Sequence, residues 1–257
     1  EDWSKGGGET MTRLEKVIMD DYRVVKGGQT LELNKIYNMD CLEGMKLIPD
    51  NSIDLVVTDP PYKTTSRGSS GGTGGILKDE LNKKGMVFEH NNIKFYEWLP
   101  ELYRVLKESC HAYIMTNNKN LKDMLIEIEN AGFSIYKTLI WAKNSPITNM
   151  YYMDSHEYIV FCRKGKAKRI NNCGTKSVLN IDNPRNKLHP TEKPIELMKI
   201  FIENSSNENE IVLDPFMGVG STALACKESN RQFIGFELDK HYCDIANERI
   251  NAFMVRR

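Results

Sequence analysis

Along this chain, short apolar runs alternate with stretches in which apolar residues recur every three or four positions. KIYN (35–38), IDLVVT (53–58), HAYIMT (111–116), FSIYKTLIW (133–141), EYIVFC (157–162), EIVLD (210–214) and QFIGFE (232–237) read as strands. Several are apolar throughout, as strands covered on both faces are. Between them, residues 41–48, 93–107, 121–130, 194–204, 222–229 and 240–254 carry helical spacing, with Pro194 placed for a first turn and Asp239 for a cap. Such alternation predicts an α/β fold, a doubly wound, mostly parallel, Rossmann-like sheet. Segments 133–141 and 157–162, joined by a loop too short for a helix, predict an antiparallel pair at one edge.

Composition narrows the class only a little. A chain of 257 residues is long enough for one large α/β core. Its 35 basic and 35 acidic residues balance, so net charge argues neither for nor against a nucleic-acid partner, and only the distribution can. Six cysteines with no CxxC pair suggest neither a zinc site nor a disulfide framework, and no metal is expected. No apolar run approaches the roughly 20 residues of a membrane span. The expectation is a soluble cytoplasmic protein. The first ten residues, EDWSKGGGET, are polar and aperiodic, which fits a disordered or tag-like leader, or a translated ribosome-binding site with Met11 as the start.

In an open parallel sheet, ligands bind beyond the carboxyl ends of the strands. Four strand ends carry candidate chemistry. In LDPFMGVGSTALAC (213–226), Gly218 and Gly220 allow a tight turn and close approach of a ligand to a helix start, although a generic strand-to-helix turn reads the same way. Glu237 ends the next strand at the spacing of an acid that binds a ribose diol; a solvated surface acid is the competing reading. Asp40 follows the first strand, where it can accept from an adenine amine or cap the helix behind it. After IDLVVT comes Asp59-Pro60-Pro61-Tyr62, a stiff peptide. An amino group could donate to the Asp59 carboxylate and the Pro60 carbonyl while Tyr62 offers a stacking face; the alternative is a proline turn with a buried ring.

DPPY after an apolar strand, with DPFMGVGST far downstream, resembles the β group of S-adenosylmethionine-dependent amino-methyltransferases of DNA. The intervening pieces fit in order, from NMDCLEGM through HAYIMTN, HEYIVFCRK and HPTEKP to FIGFELDKHYCDIA. In related enzymes acting on protein glutamines and many acting on RNA, an NPPY follows the glycine turn; here the DPPY precedes it, a circularly permuted order. The resemblance implies that Asp59, Pro60, Pro61 and Tyr62 are catalytic. It implies that Phe216, Gly218, Gly220, Glu237 and Asp40 hold S-adenosylmethionine, with Cys41, Asp214, Ser221 and Thr222 beside them and Thr191 and Lys193 at its carboxylate. A solvated lysine at the helix start is an equal reading for Lys193. The implied domains are a leader and arm over 1–30 and a single domain over 31–257, comprising a catalytic half (31–162), a short basic insert (163–188) and a cofactor half (189–257).

The implied activity is methyl transfer to N6 of an adenine flipped out of duplex DNA. N4-cytosine methylation is the near alternative, and a catalytically silent DNA-binding regulator the distant one. Between residues 163 and 193 stand nine Lys or Arg against two acids. That clustering makes Arg163, Lys164, Lys166, Lys168, Arg169, Arg185 and Lys187 candidate phosphate contacts, with Lys63 and Arg67 beside the DPPY; a solvated loop is the bland reading. The insert is too short for a separate recognition domain, so base readout rests on this loop, on residues 63–92, or on a second subunit in a homodimer. Any cognate restriction endonuclease would be a separate protein. The run SRGSSGGTGG (66–75) has too little apolar content to pack, which predicts a loop disordered without DNA that closes over substrate.

Overall fold

The computed structural model describes residues 23–26, 29–61, 93–147, 151–185, 187–189 and 191–255. The predicted leader over 1–10 and the glycine-rich loop lie outside them. β1 (Arg23–Lys26) and β2 (Gln29–Glu32) form an antiparallel hairpin, so the expected boundary between residues 30 and 31 falls inside β2.

The main sheet is built from β3 (Lys35–Asn38), β4 (Ile53–Thr58), β5 (Leu106–Thr116), β6 (Ser134–Ile147), β7 (Asp154–Arg163), β8 (Val178–Asn180), β9 (Ile211–Asp214) and β10 (Gln232–Glu237). The helices are α1 (Cys41–Lys46), α2 (Phe95–Val105), α3 (Leu121–Asn130), α4 (Ile195–Ser205), α5 (Ser221–Glu228) and α6 (Lys240–Val255). Spatial order is β3-β10-β9-β4-β5-β7-β6-β8. β3, β10, β9, β4 and β5 run parallel, and β7 is antiparallel to both β5 and β6. The antiparallel pair therefore lies toward one end of the sheet, as its short connection predicts. Outside it the three-residue β8, drawn from the basic segment, pairs parallel to β6 and forms the outermost strand.

Both faces of the sheet are covered. Met45, Trp98, Leu102, Met124 and Ile128 from α1, α2 and α3 pack with Val56 on one face. Leu197, Phe201, Ala223, Ala225 and Ala246 from α4, α5 and α6 pack with Leu55 and Val57 on the other. Alternate β4 side chains thus enter different cores, which is why all six β4 residues are buried and its central residues Leu55, Val56 and Val57 are apolar in succession. Truncating Trp98 or Phe201 to alanine would cost about 3–5 kcal/mol.

Strand direction decides which residues share an edge. β3, β10, β9, β4, β5 and β6 point the same way, so Asn38, Glu237, Asp214, Thr58 and Thr116 end at one edge. β7 runs in reverse, opposing Glu157 to Trp141 and Tyr158 to Thr116, and so brings its first residues to that same edge. Its last residue, Arg163, opposes His111 and Ser134 toward the other edge.

Candidate active site

β4 and β9 are neighbours in the sheet although 156 residues separate Thr58 from Asp214, and their ends are joined directly. Asp214 is buried, and both its oxygens are occupied: Oδ1 accepts from Thr58 Oγ1 at 2.7 Å and Phe216 N at 3.1 Å, and Oδ2 from Thr222 Oγ1 at 2.7 Å. One carboxyl therefore clips the strand before Asp59, the glycine turn and the first turn of α5 together. Burial, countered by these hydrogen bonds, raises its pKa to about 6. Gly218 (φ 55°) and Gly220 (φ 85°) supply the left-handed backbone that the turn into α5 requires. A methyl group on Gly220 would also stand 3.1 Å from Ala246 Cβ, whereas on Gly218 it would meet nothing within 4 Å. Ser221 and Thr222 begin α5 and are buried.

Glu237 ties the next strand to the same turn. Its Oε2 accepts from Gly218 N and its Oε1 from Asp239 N, both at 2.8 Å, and burial outweighs these bonds to push its carboxyl up. On the adjacent β3 side, Asp40 caps α1, with Oδ1 accepting from Leu42 N at 2.8 Å and Glu43 N at 3.4 Å. The capping reading of Asp40 is thus realised, with one of its two oxygens. Cys41 is buried and its thiol is pushed up to about 12, chiefly by burial, which keeps it an inert thiol. The half-buried Phe216 ring packs edge-on against Trp98, with centroids 5.2 Å apart. Thr191 bonds to His189 through its N–H and its hydroxyl. The neighbouring Glu192 is buried and paired with Arg249 at 2.9 Å, and Arg249 also donates to the Val219 carbonyl at 2.6 Å, so HPTEKP is fastened to the glycine turn.

Asp59 sits differently. Its Oδ2 is ion-paired with Lys193, while its Oδ1 is buried without a hydrogen-bond partner among the described residues. Lys193 is 5% exposed and also reaches Glu157 Oε2 at 3.4 Å and the Thr191 carbonyl at 3.2 Å. Glu157 is in turn paired with Lys143. Two carboxylates and two ammonium groups thus alternate through a nearly dry cluster. Burial pushes Asp59 up against the pull of Lys193, with Glu157 adding to the rise. Burial would lift Glu157 too, but Lys193 and Lys143 together hold it below its ordinary value. For Lys193 burial favours the neutral amine, and Asp59 with Glu157 reverses that, keeping the ammonium.

Several sequence expectations are revised here. Lys193 is not a solvated helix-start lysine: its buried ammonium donates to Asp59 and the Thr191 carbonyl and lies within ion-pair distance of Glu157. Lys164 does not face nucleic acid: it is buried, and its ammonium donates to Asn51 Oδ1 at 2.8 Å and to the carbonyls of Tyr103 at 2.7 Å and Leu106 at 2.9 Å. Arg163 donates to the Gly165 carbonyl. The exposed Lys166, Lys168 and Arg169 lie at the edge opposite Asp59. The Lys168 carbonyl accepts from His111 Nε2 at 3.0 Å, and Asn171 Nδ2 donates to the Glu203 and Ser206 carbonyls at the end of α4. Arg163 and Glu157 are separated along β7 by about 20 Å at the ~3.3 Å rise of a strand, so the basic run is not one stripe beside the site.

After β8 the chain returns, with Asn183 N donating to Asn144 Oδ1 at 3.1 Å. Arg185 and Lys187 are exposed there, and burial of its amine followed by repulsion from Lys193 and Lys143 lowers the Lys187 pKa. Pro60 is buried and Pro61 half-buried, while Tyr62, Lys63 and Arg67 lie outside the described residues. The residues that sequence reasoning misses are Thr58, Lys143 and Glu157. Glu157 begins an apolar strand and so looks like a solvated terminus. The one available signal is the antiparallel direction of that strand, which turns its start toward the ligand edge.

Three comparisons bear on this arrangement. An N6/N4 methyltransferase family model, described as DNA methylase, matches residues 53–248. The Type II methyltransferase M.HinfI of Haemophilus influenzae is 32% identical, across 85% of this chain and 68% of its own. The Type II methyltransferase M.HpaI of Haemophilus parainfluenzae is 33% identical, across 82% and 72%. Among solved structures, the M1.HpyAVI–SAM complex superposes with a TM-score of 0.64 at 28% identity, covering 84% of this chain and 98% of that one. The cytosine-N4-specific PvuII DNA methyltransferase, at 18% identity and a TM-score of 0.65 over 86% and 91%, shares the fold.

Proposed function

The chain belongs to the DNA methylase family, and from that premise we propose that it transfers a methyl group from S-adenosylmethionine to the N6 amine of an adenine in duplex DNA, as a β-group enzyme. The carrying observation is Asp59: a strand-end carboxyl held through one oxygen, its other oxygen buried without a donor, beside the glycine turn that Asp214 clips to the same strand.

The residues at this edge fit the cofactor. Glu237 and Asp40 stand at the ends of paired strands as acceptors for ribose hydroxyls and an adenine amine, Phe216 offers an apolar face, and Gly218 has no neighbour within 4 Å on its Cβ side. When bound, S-adenosylmethionine supplies an electrophilic methyl group on its sulfonium. The work of the chain is to prepare the nucleophile. An exocyclic amine is a poor one because its lone pair is delocalised into the ring. Donation of its N–H groups to Asp59 Oδ1 and the Pro60 carbonyl draws the nitrogen toward tetrahedral geometry and localises that pair. Asp59 also offers an acceptor for the proton that the methylated nitrogen must lose. Tyr62, next in the chain, is the stacking face for a base taken out of the duplex.

Adenine is preferred to cytosine because of Asp59: the resemblance associates an acid there with N6 enzymes, and serine more often with N4 enzymes. Phosphate contacts are assigned to Arg185 and Lys187, on the segment that returns to the site edge, together with Lys63 and Arg67. A homodimer would supply the recognition surface that the short insert cannot. The deciding experiment incubates the protein with methyl-labelled cofactor and unmethylated genomic DNA, then identifies the labelled nucleoside and maps it. N6-methyladenine supports the reading, and N4-methylcytosine overturns its choice of base.

A further inference from the structure

We propose that Lys193 is a positioning residue for methyl transfer: backed by Glu157 and Lys143, it fixes one oxygen of Asp59 and keeps the other available as the acceptor for the amine. This rests on the function assigned above.

An acid that binds an amine must present a hydrogen-bond acceptor to it. A carboxylate only accepts hydrogen bonds, while a protonated acid has an O–H that donates. An acid as buried as Asp59, left alone, takes up a proton and loses the acceptor geometry that an N–H requires. Lys193 opposes that uptake. Its ammonium touches Asp59 directly, and its remaining contacts to Glu157 and the Thr191 carbonyl stop it from swinging toward another acceptor. Asp59 itself, with Glu157 second, keeps the buried ammonium charged, and Lys143 in turn balances Glu157. Charges therefore cancel across the four side chains without any help from solvent. Among the described residues, Asp59 Oδ1 and Glu157 Oε2 are the oxygens of this cluster left without a hydrogen-bond donor, and of the two only Oδ1 belongs to the strand-end acid, where an incoming N–H can pair it.

Charged groups reach Asp59 from each element packed around it. They are Lys193 ahead of α4, Glu157 on β7, Lys143 on β6 and Asp214 on β9, with Lys187 and His189 beyond, around Lys193. Removing Lys193 leaves Asp59 among carboxylates, so its proton is held to higher pH. Removing the charge of Glu157 leaves Asp59 facing two ammonium groups, so its proton is lost at lower pH. The two changes act on Asp59 in opposite directions, which a role confined to packing does not produce.

The test compares full-length wild type, Lys193→Met and Glu157→Gln, measuring kcat and its pH profile on unmethylated genomic DNA and S-adenosylmethionine affinity by calorimetry. For Lys193→Met the expected result is a kcat loss of ~100-fold at neutral pH, an acid limb moved up by at least ~1 pH unit, and cofactor affinity within about threefold of wild type. For Glu157→Gln the acid limb moves down. If Lys193→Met does not fold, the direction of the Glu157→Gln shift decides: a limb that stays or rises overturns the inference. Cofactor affinity weakened about tenfold in Lys193→Met with near-normal kcat at saturation would make Lys193 a cofactor ligand and overturn it too. Wild-type protein that methylates no DNA overturns the functional reading and this inference together; wild-type transfer with an unaltered Lys193→Met overturns this inference alone.

Discussion

Asp59-Pro60 and Asp214-Pro215 are the same dipeptide at the ends of adjacent parallel strands, yet the fold treats the two acids in opposite ways. Asp214 receives neutral donors on both oxygens, two hydroxyls and a backbone N–H, and is finished as a structural clip. Asp59 receives one cation on one oxygen and nothing on the other among the described residues. The difference teaches that a strand-end acid is left able to accept a further donor by what the fold withholds from it. A buried carboxylate with three donors has little left to offer a ligand, whereas one with an unbonded buried oxygen is costly at rest and poised to accept.

That contrast can be broken from either side. The largest effect is expected for Asp59→Ala: methyl transfer falls ~1,000-fold, about 4 kcal/mol of transition-state stabilisation, while the thermal midpoint and cofactor affinity stay close to wild type. Near-normal turnover would mean that the carboxylate does not hold the amine. Asp214→Ala should do the reverse, lowering unfolding stability by about 2–4 kcal/mol in denaturant titrations because Thr58, Thr222 and the Phe216 N–H lose their common acceptor.

The pH dependence sharpens the same comparison. Asp214 binds its proton more tightly folded, at about 6, than in an unfolded chain. Between the ordinary aspartate range and that value the folded state carries more protons, so the Asp214 contribution to stability falls as pH rises through the window. Asp214→Asn lacks that titration. Subtracting its stability-versus-pH curve from that of wild type should leave a decline confined to this interval; a flat difference would remove Asp214 as the titrating group.

The smallest effect separates the edge of the sheet that carries both acids from the opposite one. Arg185→Gln with Lys187→Gln should weaken duplex binding about tenfold and reduce the salt slope by roughly 2. Lys166→Gln, Lys168→Gln and Arg169→Gln together should change neither, since those side chains lie at the edge away from Asp59. Equal losses from both sets would place nucleic acid across both edges.

Much of the fold was legible because its signals are local. The apolar run 53–58 marks a strand buried on both faces, and Gly218 and Gly220 mark a turn into a helix, since each depends on neighbours a few residues away. The candidate site was legible as far as those strand ends reach. It failed at Lys164, whose charge suggested phosphate but whose ammonium closes three backbone and side-chain acceptors inside the fold. Composition could not tell a solvated lysine from one that meets buried carbonyls.

By itself the sequence determined the order of the helices and of strands β3 to β7, β9 and β10, though not the hairpin β1–β2 or the short β8, the DPPY ahead of the glycine turn, and the acids at strand ends. Only the tertiary structure decided that Lys193, 134 residues away, would hold Asp59, that Glu157 and Lys143 would stand behind it, and that residues 163–169 would leave the sheet at its far edge. The reason is directional. An apolar strand pattern reads the same whether the strand runs up or down the sheet, and the reversal of β7 turns Glu157 toward the site and Arg163 away from it.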